Sequence, residues 1–322
     1  MTLTELRYIV AVARERHFGR AADACFVSQP TLSVSIKKLE GELGSQIFER
    51  GGNEVTLTPI GERVVAQAQR VLDETAKIKA IAEQGKDPLL GPLKAGVIYT
   101  IGPYLLPRIV KTLIQKFPQM PLILYENYTV KLLEQMRTGE LDVAILAEPF
   151  DTAGLDIQPL YDEEFFVTVP KGHPWEGLKS VQSAELREQT MLLLGIGHCF
   201  RDHVLEVCPE AARYAQNSAG IQKTFEGSSL ETIRHMVASG LGITVLPRMA
   251  IPTDNQDPML SFIPFTPPAP TRRVVMVSRK SFSRQSAVES LRSVISEADL
   301  PGCTKLLGAA SFAKAKAAGV AA

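Results

Sequence analysis

Through residues 4–16, apolar side chains recur at helical spacing: Leu6, Ile9, Val10 and Ala13. A break at Phe18-Gly19 precedes a short predicted helix at Arg20–Ala24, and Phe26-Val27-Ser28 make the turn after it. Ser28 suits an N-cap, and Pro30 falls in the first helical turn, where its missing N–H costs nothing. The helix so opened carries Leu32, Ile36, Leu39 and Leu43 on one stripe and stops at Gly44. Ile47–Arg50 and Glu54–Leu57 alternate as two strands around Gly51-Gly52-Asn53, which can supply the positive φ of a tight hairpin. Together these elements predict a winged helix-turn-helix, dominated by helices, over residues 1–58. Thr58-Pro59 then open a long helix to about Gln84, with Val64, Ala68, Val71, Thr75 and Ile78 three and four apart as in a coiled-coil seam. Residues 59–88 are therefore expected to be both linker and dimer interface.

The pattern changes after the boundary at 85–92. Strands are predicted at Leu93–Val97, Leu122–Tyr125 and Leu141–Leu146, with helices at Pro103–Phe117 and Val130–Thr138. Strands return at Phe165–Val169, Ile243–Leu246 and Arg272–Val277, and helices at Leu230–Ser239 (capped by Ser228 or Ser229) and Arg284–Ser296. Alternating β and α units imply a parallel sheet. Two α/β lobes with a cleft between them suit residues 89–302 better than one large sheet. Residues 303–322 are expected to be a low-complexity tail, rich in Ala from Ala309.

Composition sets outer limits. A chain of 322 residues exceeds one ordinary core, and 45% apolar with 22% charged residues is the balance of a globular protein. No apolar run reaches the roughly 18 residues of a membrane span, and Met1–Arg16 lacks the apolar core of a signal peptide, so a cytoplasmic protein without membrane association is expected. Lys plus Arg equals Asp plus Glu at 35 each, and residues 1–58 hold seven of either sign. Any positive surface for nucleic acid must therefore be local.

The helix after Ser28 supplies such a surface. Ser28, Gln29, Thr31, Ser33 and Ser35 are short hydrogen-bonding side chains suited to base edges, followed by Lys37 and Lys38, suited to phosphates. From composition alone, an ordinary amphipathic surface helix explains the stretch equally well. The ordered run Leu6–Ala13, His17–Ala22, Val27–Ser33, Leu39-Glu40, Leu43-Gly44 and Phe48–Arg50 resembles the N-terminal domain of LysR-type transcriptional regulators over its whole length. The resemblance implies a winged helix-turn-helix on a dimerising linker, with an effector domain similar to type 2 periplasmic binding proteins behind it. It further implies double-stranded promoter DNA as partner, RNA polymerase downstream, and a homodimer or homotetramer. The expected contact set becomes Ser28, Gln29, Pro30, Thr31, Ser33, Ser35, Lys37 and Lys38, with Arg50 at the wing tip reaching phosphate.

Four cysteines are too few to staple a chain of this length. Cys199 and Cys208 lie in Gly-His-Cys-Phe-Arg-Asp-His-Val-Leu-Glu-Val-Cys, after Gly195 and Gly197 break the apolar run 191–194. A helix starting near His198 would place Cys199 at its positive end, beside His198 and Arg201, conditions that favour thiolate. Cys208, nine residues on, would lie roughly 13 Å away along the axis, whereas a disulfide needs Cα atoms within about 7 Å. The pair can bond only if the segment refolds. Other readings remain open: both cysteines as small hydrophobes, or a metal site of His198, Cys199, His203 and Cys208, whose spacing fits no common zinc pattern. Cys25 and Cys303 read as structural.

This segment, with Ser228–Thr232, Met236–Gly240 and Gly242–Pro247, resembles the hydrogen-peroxide-sensing branch of the LysR family. That resemblance implies that Cys199 is the peroxidatic thiol and Cys208 the resolving one. It also implies that Thr100, Thr129, His198, Asp202 and Arg272 place and activate peroxide, Arg273 being the close alternative to Arg272. Either threonine reads equally as an ordinary helix cap. The expected function is a peroxide-responsive transcription activator, with repression by the reduced form left open. It would need no cofactor and would be reset by a glutaredoxin- or thioredoxin-type reductant. The rivals are a LysR-type regulator answering a metabolite in the cleft, a thiol peroxidase or disulfide oxidoreductase (weakened by the lack of Cys-x-x-Cys), and a solute-binding protein, at odds with residues 1–60.

Overall fold

Thr2 starts the first helix through a capping box with Glu5, and its apolar stripe then carries α1 (Leu3–Glu15). α2 (Phe18–Ala24) begins two residues earlier than its pattern predicts, because His17 Nδ1 accepts from the Gly19 and Arg20 amides and caps it. Ser28 caps α3 (Gln29–Leu43), and Gly44 ends it at φ 64°. β1 (Phe48–Glu49) and β2 (Thr56–Leu57) pair antiparallel as the wing. This structure is a computed structural model, and it describes residues 1–49, 55–82, 89–209 and 229–306. The wing tip, with Arg50 and Gly51-Gly52-Asn53, lies outside them. Ile9, Val12, Leu32, Ile36, Leu39 and Ile47 form the buried centre of this unit.

α4 (Pro59–Ala82) lies against α1 and buries Val65 and Ala68 there. Within the expected seam, then, Ala68 is used by the chain's own core, while Val71 and Ile78 are exposed. Further along, Asp73 meets the effector unit: Arg279 Nε donates to Asp73 Oδ2 at 3.0 Å and Ser281 Oγ at 2.6 Å. Gln69 holds the other carboxylate oxygen at 2.9 Å.

The first half of the effector unit follows its predicted alternation: β3 (Leu93–Ile98), α5 (Gly102–Lys116), β4 (Leu122–Asn127), α6 (Thr129–Arg137) and β5 (Val143–Ala147). β3 lies between β4 and β5, parallel to both. The parallel expectation ends there. β6 (Leu155–Pro170) is one long strand, of which Phe165–Val169 is only the last part. β9 (Thr271–Arg279) inserts between β5 and β6, antiparallel to both. Its reversed direction has a topological cause: the chain has already crossed into a second lobe along β6 and must return. That lobe pairs β7 (Thr244–Pro247) and β8 (Leu260–Pro264) with the far end of β6. It also holds α7 (Cys199–Val207) and α8 (Leu230–Ala238), the latter capped by Ser229. α9 (Gln285–Glu297) covers the first lobe.

Each lobe has its own core, one around Leu93, Ile145, Tyr161 and Val275, the other around Phe165, Phe200, Val245 and Ile263. The expected low-complexity tail loses its first residues to the sheet. β10 (Cys303–Lys305) pairs antiparallel with β6, Cys303 opposite Glu163. A three-residue strand is too short to show a period. No helix among the described residues is long and apolar enough to cross a membrane.

Candidate functional site

β3 ends in a tight turn that buries Thr100, and Thr129 opens α6 directly after β4. Neither threonine caps a helix: the N-caps are Ile101 and Tyr128, and neither makes a side-chain capping bond. Neither hydroxyl is spent on a helix end. With Tyr99, Tyr128, Gly197, His198 and Cys199 the threonines line a small recess where the C-terminal ends of β3 and β4 meet the N-terminus of α7. Gly197, at φ 99°, turns the chain into this helix, in a conformation that side chains rarely adopt. His198 is buried, its ring edge-on to Tyr128 with centroids 4.7 Å apart.

Behind the recess lies Arg272, 2% exposed. It donates from Nη1 to Thr100 Oγ1 (2.9 Å), from Nη2 to the Thr100 carbonyl (3.0 Å) and from Nε to Glu163 Oε2 (2.8 Å). Its guanidinium carbon sits 5.1 Å from the Phe200 ring centroid. Glu163, fully buried, accepts the Met249 amide with its other oxygen at 2.7 Å. Burial alone would lower the pKa of Arg272; the Glu163 carboxylate beside it raises it instead. The neighbouring Arg273 is exposed and committed to Asp162 through two bonds of 2.9 and 3.0 Å. Of the two arginines, Arg272 is the one brought to the recess.

Cys199 is the first residue of α7, as its sequence position predicts, but its thiol differs from expectation. Burial pushes its pKa up, outweighing the Thr129 hydroxyl and the Arg272 charge, which both favour thiolate. Arg201 does not assist, since its guanidinium turns away to the Leu194 carbonyl at 2.7 Å. The cation that Cys199 feels is Arg272, brought from the far end of the chain. Asp202 is exposed one turn along α7, outside the lining of the recess, and its charge raises the thiol pKa.

Cys208 caps the other end of α7 and is buried in the second lobe's core, whereas Cys199 packs against the first lobe's core. The two cysteines form no disulfide and lie nine positions apart along the helix, roughly 13 Å of axis. His203, between them, ties α7 to the loop that follows β5: its Nε2 lies 2.7 Å from the Glu148 carbonyl. The four residues weighed as metal ligands do not converge, and among the described residues no three His, Cys, Asp or Glu side chains are grouped to hold an ion. Cys303 faces the first lobe's core, its thiol pushed up to about 12 by burial. Cys25, half-buried, packs beside the N-terminal core. Sequence reasoning missed Glu163, the charged partner of Arg272, and weighed His203 only as a metal ligand, not as the anchor of α7.

On α3, the Ser28 hydroxyl accepts the Thr31 amide at 3.3 Å and lies 2.8 Å from the Thr31 hydroxyl, so these two form the cap. Gln29, Pro30, Lys37 and Lys38 are exposed, and Ser33 and Ser35 half-buried.

Residues 3–62 match the family described as bacterial regulatory helix-turn-helix protein, LysR family, and residues 86–299 match the LysR substrate binding domain. The DNA-binding transcriptional dual regulator OxyR of Escherichia coli K12 is 40% identical over 295 residues, 92% of this chain and 95% of that one. A full-length OxyR from Pseudomonas aeruginosa, with a cysteine replaced by aspartate, superposes with a TM-score of 0.78 at 50% identity, over 94% of this chain and 99% of that one. A cysteine mutant of Corynebacterium glutamicum OxyR, solved with hydrogen peroxide bound, gives a TM-score of 0.61 at 33% identity, over 92% of both chains.

Proposed function

The chain belongs to the LysR family of bacterial helix-turn-helix regulators, and on that premise we propose that peroxide oxidises Cys199 in the recess and that Cys208 then captures it as a disulfide. The chain is a hydrogen-peroxide-responsive DNA-binding transcription regulator, like the relatives it matches over nearly its whole length. The observation that carries the residue assignment is the position of Cys199. It stands in a small recess backed by a buried arginine, at one end of a helix whose other end is a buried thiol.

That placement dictates the chemistry. Thr100, Thr129 and His198 hold peroxide against the Cys199 sulfur. The sulfur attacks one peroxide oxygen, the O–O bond breaks, and the departing hydroxide takes the thiol proton and leaves as water. Arg272 and the Thr129 hydroxyl stabilise the negative charge that moves from sulfur to oxygen. The product at Cys199 is sulfenic acid. The Cys208 thiol then attacks that sulfur, forming the S–S bond and releasing the sulfenic oxygen as a second water. Asp202, on the exposed side of α7, acts once the helix opens. The second step requires α7 to unwind and Cys208 to leave its core, so oxidation changes the fold of the segment and not merely its chemistry. A cellular dithiol of glutaredoxin or thioredoxin type reverses it.

The chain acts as a stoichiometric sensor in the cytoplasm, as a homodimer or homotetramer on promoter DNA, and conveys its state to RNA polymerase. α3 enters the major groove with Gln29, Pro30 and Ser33 toward the bases and Lys37 and Lys38 toward phosphate, while Arg50 serves the wing. The deciding experiment is a mass-spectrometric thiol count on reduced protein before and after near-stoichiometric hydrogen peroxide. A Cys199–Cys208 bond forming within seconds, absent in Cys199→Ser, is the expected result. A Cys199 that stays a thiol under excess peroxide overturns the assignment and makes a metabolite in the cleft the better signal.

A further inference from the structure

Leu32, Ile36 and Leu39 set the inward stripe of α3. At 100° per residue the opposite meridian is occupied by Pro30, Val34 and Gly41, each within roughly 30° of it. Val34 is 68% exposed and belongs to no core cluster. A β-branched residue in an exposed helix interior gives up rotamer freedom and gains no burial in return. Gly41 is likewise a poor helix former, and a Cβ there would meet nothing within 4 Å, so packing within the chain does not require glycine. Nothing in the fold uses either residue. Lys37 and Lys38, both exposed, flank this line. The outward face of α3 is therefore a slim, uncharged, partly apolar ridge between cations.

That shape and charge match the major groove, where phosphates border a floor whose apolar feature is the thymine C5-methyl. The Ser28 and Thr31 hydroxyls are tied to each other in the helix cap, which leaves Gln29 and Ser33 to hydrogen-bond base edges. Resting on the DNA-binding reading above, we propose that Val34 is a specificity-determining residue whose methyl groups pack on a thymine C5-methyl and select an A·T pair at that position. Pro30 and Gly41 keep the ridge low enough for the approach.

The test uses the full-length chain and duplexes it selects from a random-sequence pool. The selected duplex is resynthesised with deoxyuridine in place of thymidine, one position at a time, which removes the methyl and leaves every hydrogen bond intact. The wild-type chain is expected to lose about fourfold in affinity at one or more such positions, the worth of one buried methyl. Val34→Ala is expected to bind the unmodified duplex about as weakly and to be indifferent to deoxyuridine there. This variant keeps its fold, because the site is exposed and alanine is the better helix former. The proposal is overturned if no deoxyuridine matters, or if Val34→Ala remains as sensitive as the wild type. A chain that selects no duplex at all removes the DNA-binding premise itself, an outcome distinct from both.

Discussion

Arg272 and Glu163 form a buried ion pair, and altering them singly and then together separates stability from chemistry. Removing one member leaves the other charged and uncompensated, a loss of about 3–5 kcal/mol. Arg272→Gln and Glu163→Gln are each expected to lower the urea midpoint by that scale, while the double variant recovers much of it, the two charges having gone together. The peroxide reaction should not recover, because no cation remains beside the sulfur. Stopped-flow oxidation that returned to the wild-type rate in the double variant would show that Arg272 acts only through folding. The Cys199 thiol gives a pH test. Its pKa lies above the usual thiol value because of burial, and thiolate is the nucleophile. The rate of sulfenic acid formation should therefore still be climbing with pH through 7 and 8, and a plateau already reached below pH 7 would contradict the burial argument. Much of the pocket is legible in the sequence. Cys199, Cys208, Thr100, Thr129, His198, Asp202 and Arg272 can all be named from its resemblance to the family, and the structure brings five of the seven together, with Cys208 and Asp202 held apart. Glu163 escapes because one acid in a run of three, Asp162-Glu163-Glu164, carries no local sign of which will be buried. Arg201 is expected beside the thiol for its nearness in sequence, yet helix geometry sends it to the Leu194 carbonyl.

In the proposed mechanism, α7 is the element whose stability sets the second chemical step. His203 Nε2 donates to the Glu148 carbonyl, and its Nδ1 is buried without a hydrogen-bond partner. Burial holds the His203 pKa below that of a free imidazole. A depressed folded pKa gives stability that is full above the unfolded value, about 6.5, and is lost as pH falls through the folded one. The reduced protein should lose stability as the pH drops below about 6.5, and His203→Gln should flatten that slope. His203→Ala should also remove one hydrogen bond that holds α7 closed, about 1 kcal/mol. Disulfide formation should then accelerate roughly fivefold, with the initial sulfenic step little changed. Dimedone trapping against thiol counting separates the two rates, and equal acceleration of both would show that His203 shapes the pocket and not the helix. Elements with a strong period, such as α1, α3, α5 and β3, are legible in the sequence within a residue or two. The long strand β6 shows itself only at its Phe165–Val169 end, because its first half alternates in a pattern broken by the Pro159–Tyr161 bulge. β10, three residues long, escapes for shortness.

At the scale of the molecule, β9 joins the two functions. Arg272 stands near its start, in the pocket, and Arg279 ends it, against the linker helix. The seven steps of extended chain from one to the other cover roughly 23 Å. Arg279 is nearly buried; besides Asp73 it donates to the Met136 and Leu141 carbonyls at 2.7 and 2.6 Å. Another contact between the units, Arg16 with Glu134 at 2.6 Å, is far more exposed and by itself worth about 1 kcal/mol or less. The alternation rule could not show this arrangement, since it predicts a parallel sheet in which no strand returns from the second lobe between β5 and β6. Because β9 does return, a shift at the pocket end is carried by a strand hydrogen-bonded on both sides to the point where the DNA-binding unit is attached. Asp73→Asn keeps the shape of that attachment and removes its charge. The variant is expected to lose about 3 kcal/mol of stability and, measured at a temperature where it stays folded, to bind its selected duplex with an affinity that changes less between reduced and oxidised states. Arg16→Ala should leave that ratio near the wild-type value. An Asp73→Asn chain that is destabilised but keeps the full redox-dependent change would place the coupling elsewhere than at the end of β9.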